Sequence, residues 1–172
     1  MMLSFHSDNK YFIAGIRFAF QNCDFICAET IKFIDISLGT DINRVEFTGV
    51  CVYFCDDTTY SILMAFGFNK SGLVLNKKIE LQQLINEVRR FYTRNKKKYN
   101  SAPIFERPKL SKNEARILKY IIKGFTASSC AIILDVNHKT ISTHKYNTYL
   151  KLGVLSNKKN AVISSLISSL LF

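Results

Sequence analysis

The chain has 172 residues, 48% hydrophobic and 13% aromatic, with seven glycines and two prolines. This argues against a disordered chain and predicts long regular elements around a packed core. The formal net charge of +11 is uneven: residues 1–105 hold 13 Lys and Arg against 10 Asp and Glu, whereas residues 106–172 hold 11 against 3, which fits a polyanion-binding segment.

The N-terminal MMLSFHSDNK lacks a basic stretch followed by a long apolar one. No apolar run approaches the ~20 residues of a membrane span. A cytoplasmic protein with reduced thiols and no membrane partner is the expectation. Residues 1–92 then alternate two kinds of pattern. MLSF, DFICA, IKFIDISL, GVCVYFC and GLVL read as strands. YFIAGIRFAFQ places Phe12, Gly15, Ile16 and Ala19 on one helical stripe. KKIELQQLINEVRRFY does the same with Ile79, Leu81, Leu84, Ile85, Val88 and Phe91. Strands alternating with helices predict a parallel α/β sheet. Residues 93–109 are charged, hold both prolines and show no apolar period, so they read as a basic linker.

Residues 110–172 read as four helices. Ser111 and Glu114 have the spacing of a capping box, in which each side chain satisfies the other's backbone donor. Leu110, Ile117, Leu118, Ile121 and Ile122 give an apolar face, and Gly124 supplies a stop. Thr126 and Asn137 are N-cap residues for two further helices. The second of these runs from His138 to Leu152 and stops at Gly153. Ser156 is placed to cap a last helix reaching about Leu170. This is the plan of a small bundle containing a helix-turn-helix.

The helix from His138 carries the functional reading. With Ile141 facing the core, Thr148 and Leu152 share its direction. Lys139, Thr143 and Tyr146 point the other way, with Ser142 on the flank. Hydroxyls and a threonine methyl are groups that meet base edges in a major groove. Lys145 and Lys151 sit nearer the sides, where phosphates flank a groove-bound helix.

The stretch LSKNEARILKYIIKGFTASSCAIILDVNHKTISTHKYNTYLKLGV resembles the LuxR/GerE-type DNA-binding domain of the NarL/FixJ group. The strongest matches are Lys139-Thr140-Ile141, Thr143-His144 and Lys151-Leu152-Gly153-Val154. The resemblance implies double-stranded DNA as partner, with Ser142, Thr143 and Tyr146 at base-contacting positions. It puts Thr126, Lys139, His144, Lys145, Asn147 and Lys151 at backbone-contacting ones, and makes the final helix a dimer contact. Ser128-Ser129-Cys130 and Leu150 depart from the family pattern.

FHSDNKYFIAGIRFAF and GLVLNKKIELQQLINEVRRF resemble the start and end of a response-regulator receiver. Asp8 would be the second acid of the family's acidic pair, with Ser7 replacing the first. The family's lysine would fall at Asn76, leaving Lys77 one place late and turned to the other face. Either Asp35, or Asp56 or Asp57, would end the central strand, and the chain is too short for five βα units. These residual receiver positions imply a degenerate domain without conventional phosphotransfer. The whole resembles atypical enterobacterial regulators of fimbriae, capsule or acid response. That resemblance implies a homodimer or a heterodimer with another response regulator. An auxiliary protein adding mainly nonspecific DNA affinity is the alternative. Cys23, Cys27, Cys51 and Cys55 read as buried small hydrophobes rather than a zinc site. No catalytic triad or phosphate loop is visible, so neither an enzyme nor a cofactor is expected.

Overall fold

The computed structural model describes residues 2–23, 30–36, 42, 45, 49–95, 108–154 and 160–171. In the first half β1 (Met2–His6), β2 (Thr30–Asp35), β3 (Val50–Cys55) and β4 (Gly72–Asn76) lie side by side in that order, all parallel. Parallel neighbours need crossovers, and α1 (Lys10–Phe20) provides one between β1 and β2. Between β3 and β4 come α2 (Asp57–Ala65) and the one-turn α3 (Phe68–Ser71), and α4 (Leu81–Asn95) follows β4. The strand reading of DFICA and the Ser156 cap fall outside the described residues. The helix expected to end near Tyr92 continues to Asn95, inside the segment read as linker.

Every residue of β3 is buried, the signature of a parallel strand covered on both faces. One face is packed by α1 and α4: Ile16, Ala19 and Phe20 meet Ile31, Phe33, Val52, Phe54, Leu84 and Val88. Phe33 anchors this layer, with ring centroids 5.4 Å from Phe20 and 6.2 Å from Phe54. Fully burying side chains of this size stabilises by about 1.5–3 kcal/mol each.

The second half is helical: α5 (Lys112–Ile122), α6 (Ala127–Leu134), α7 (His138–Lys151) and α8 (Asn160–Leu171). Its apolar side continues the other face of the sheet. Ile34, Cys51, Tyr53, Ile62, Leu63, Phe66 and Phe68 form one cluster with Leu118, Tyr149, Leu152, Val154, Leu166 and Ile167. Gly153, at φ 72°, closes α7 against α2. A Cβ there would lie 2.7 Å from the carbonyl carbon of Ser61, so only glycine permits this approach. Among the described residues no helix is long and apolar enough to cross a membrane.

Candidate nucleic-acid interface

Local chemistry sets up each helix of the tri-helical unit. The Glu114 amide donates to Ser111 Oγ at 3.3 Å and the Ser111 amide to Glu114 Oε2 at 2.6 Å, completing the capping box. Thr126 Oγ1 accepts from the Ser129 amide at 3.1 Å, and Asn137 Oδ1 from the Lys139 amide at 2.8 Å. Between α6 and α7 the chain turns through Asp135 at φ 50°, a left-handed conformation that Asp tolerates. The three helices close on a small core of Ile117, Cys130 and Ile141.

That core fixes the rotation of α7. Ile141, Thr148 and Leu152 are buried as their spacing requires, and Tyr149 joins them. The Thr148 hydroxyl, inside an apolar environment, is satisfied by donating to the His144 carbonyl at 2.7 Å. Lys139, Thr143, Tyr146, Asn147 and Leu150 are exposed, with Tyr146 63% accessible. A phenol this open buries little and marks a surface available for contact. Thr143 is exposed and donates its hydroxyl to the Lys139 carbonyl at 3.0 Å, which leaves the oxygen able to accept.

The remaining expected contacts divide. Ser142, His144 and Lys145 are half-buried on the two flanks. The Lys145 ammonium stands 5.4 Å from the centre of the Tyr149 ring, a cation–π arrangement that aims it along the helix edge. Thr126 is exposed at the start of α6, sharing a hydrogen bond with Ser129 Oγ at 2.9 Å. Lys151 is engaged elsewhere. Its ammonium donates to both Glu114 oxygens, at 2.7 and 2.9 Å, and Glu114 is buried. Lys151 hydrogen bonding and the Ser111 amide hold the Glu114 carboxyl below the usual range. Sequence reading identifies Glu114 only as a cap. A partner 37 positions away leaves no local signal.

At the carboxyl edge of the sheet lies a second polar group. Ser7 Oγ donates to Asp35 Oδ2 at 3.0 Å, and the Lys77 ammonium forms an ion pair with Asp35. Lys77 turns to the face opposite Asn76, as its one-place offset predicts, and this face, shared with Leu75 and Phe33, is the one on which Asp35 stands. Lys77 lies one residue past β4 but continues its ladder, its amide donating to the Cys55 carbonyl at 3.0 Å. From there the long side chain reaches Asp35. Of the two candidate positions, Asp35 at the end of β2 is the one on which Ser7 and Lys77 converge. Asp56 instead caps α2, accepting from the Thr59 amide at 2.8 Å. Asp57 is clasped by Lys78 at 3.1 Å and by Asn76, and both hold its carboxyl below the usual range. Asp8 is exposed in the β1–α1 turn. Among the described residues no group of three His, Cys, Asp or Glu side chains is arranged to hold a metal ion. Cys55 donates to the Leu75 carbonyl, and burial pushes its thiol up to about 12, far from the thiolate a metal requires. Cys27 lies outside the described residues.

Residues 108–164 match the family described as bacterial regulatory proteins, luxR family. A 47-residue stretch is 36% identical to the response regulator protein TmoT of Ectopseudomonas mendocina, covering 27% of this chain and 21% of that protein. The fold of the whole chain is similar to RcsB in a structure of two dimers bound to two parallel DNAs. The identity there is 18%, the coverage 98% of both chains and the TM-score 0.68. RcsB from Salmonella enterica serovar Typhimurium, bound to a promoter in the presence of a phosphomimetic, gives 16% identity, 96% and 98% coverage, and a TM-score of 0.66. Residues 108–164 are thus a luxR-family helix-turn-helix domain, carried in one chain behind a four-stranded domain of receiver-like fold.

Proposed function

We propose that this chain is a sequence-specific DNA-binding transcription regulator that inserts α7 into the major groove of a duplex. The observation that carries the reading is the orientation of α7. Its apolar side is anchored by Ile141, Thr148 and Leu152, while Lys139, Thr143 and Tyr146 stand outward within the luxR-family segment. Ser142, Thr143 and Tyr146 read base edges. Thr126, Lys139, His144, Lys145 and Asn147 grip phosphates. Lys151 braces α7 on α5 through Glu114, with its remaining exposure turned toward the backbone. RcsB is dimeric in the DNA complex to which this fold is similar, and we extend dimerisation on a paired site to this chain. The chain then comprises a receiver-like domain read at residues 1–92, whose last helix runs on to Asn95, a linker read at 93–109 and a DNA-binding domain at 110–172.

Control by conventional phosphorylation is not part of the proposal. Asp35 is already held by a lysine and a serine hydroxyl, and the acidic partners that would gather Mg²⁺ are reduced to Asp8. Selection of bound sequences from random duplexes by the purified full-length protein tests the reading. An enriched motif whose preference disappears in Thr143→Ala and Tyr146→Ala supports it. Absence of any motif would favour an auxiliary protein that needs a second regulator. A Mg²⁺-dependent change of oligomeric state with beryllofluoride would restore phosphorylation control.

A further inference from the structure

α5 carries a row of exposed cations. Lys112, Arg116, Lys119 and Lys123 recur at intervals of four, three and four along α5 and its C-cap, and all four are exposed. Residues at these intervals are neighbours on one helix face, and like charges there repel. Lys112 also stands in the first turn, where the helix dipole disfavours a cation. The acid within α5, Glu114, lies on the buried side and is committed to Lys151. Among the described residues none of the four cations enters an ion pair. Lys119 and Lys123, in the last turn and at the C-cap, suit the helix dipole, but among the described residues no carboxylate answers the row, which leaves it suited to an external anion.

The row is continuous with α7. Arg116 and Asn113 line one hollow together with Thr140 and His144. Those two residues form the flank of α7 beside its outward face. On that same flank Lys151, the cation that sequence spacing assigns to the backbone, is neutralised by Glu114. Among the described residues α5 therefore holds the positive charge on this side that no carboxylate pairs. From Lys112 to Lys123 the helix extends about 16 Å, enough to follow several successive phosphates along one strand. Arg116, nearest the seam, has the planar fork that binds a phosphate through two hydrogen bonds.

We infer that the outer face of α5 is a second DNA-contacting surface, resting on the reading of α7 above. Arg116, with Asn113 beside it, grips a phosphate at the edge of the α7 site. Lys112, Lys119 and Lys123 extend the contact along the flanking backbone, adding affinity without sequence preference.

The test uses the full-length protein and the duplex it selects, with short and long flanks. Binding is measured across salt concentrations for the wild type, Arg116→Ala, and a variant neutralising all four cations. A Gln series at the same positions controls for helix propensity, and thermal melting confirms folding. Removing one phosphate-gripping cation lowers the magnitude of the slope of log K against log salt by about 0.9, so that of the fourfold variant should fall by about 3.6. That variant should also forfeit the advantage of long flanks while selecting the same motif. An unchanged slope in a folded variant overturns the inference, and so does wild-type binding to anionic phosphatidylserine vesicles combined with that unchanged slope. If the wild type selects no motif, the reading of α7 falls. The α5 row is then judged separately by its slope on random duplex.

Discussion

The two polar regions of this molecule differ in how their side chains are satisfied. At the sheet edge Ser7 and Lys77 close upon Asp35, while Asn76 and Lys78 close upon Asp57. On α7 the outward side chains have their backs anchored and their tips open, as Tyr146 shows. A closed cluster holds a fold together, whereas an open row awaits a partner. Burial and hydrogen-bond partners distinguish the two where residue types alone do not.

The most severe way to break the contrast is to damage the seam shared by both regions. Gly153→Val must force a left-handed backbone on a branched residue and drive a side chain into Ser61. A loss of about 2–5 kcal/mol is expected, read as a lowered urea midpoint for the whole chain. Next, Tyr146→Ala and Thr143→Ala should each cost about 1–3 kcal/mol of discrimination between the selected duplex and a scrambled one. Their melting temperatures should barely move, since exposed substitutions change stability by about 0.5 kcal/mol or less. Asp35→Ala should show the reverse. Removing the acceptor that Ser7 and Lys77 share costs about 1–2 kcal/mol in denaturant titration and leaves duplex preference intact.

The smallest effect sharpens the contrast by pH. Folding lowers the Glu114 pKa, so the unfolded chain holds that proton more tightly. The stabilisation is complete above the unfolded value of about 4.3 and fades as pH falls through the lower folded value. Glu114→Gln keeps a capping acceptor but loses the charge. Its melting temperature should lie below wild type at neutral pH and converge with it in acid.

How much of this was legible in the sequence follows the range of each interaction. The Ser111–Glu114 box, the Thr126 and Asn137 caps and the Gly153 stop are contained within a few residues, and all form. The burial of Ile141, Thr148 and Leu152 follows from helical period alone. The luxR-type segment was legible for the same reason, since its determinants are short and dense. The Lys151–Glu114 pair and the reach of Lys77 to Asp35 join residues far apart in the chain, and no local pattern announces them. Nor does sequence show that Tyr149 turns inward, because its burial depends on apolar surface contributed by the first half.

The seat of α7 on α2 has a consequence for operator architecture. Leu152 and Val154, beside Gly153, are buried in a cluster that includes Ile62 and Leu63. The helix-turn-helix unit therefore takes its bearing from the front domain. In a dimer bound as proposed, the separation and phase of the two half-sites would depend on the α2 surface on which α7 is seated. Substitutions there would retune which spacings are tolerated while the letters within each half-site stayed the same.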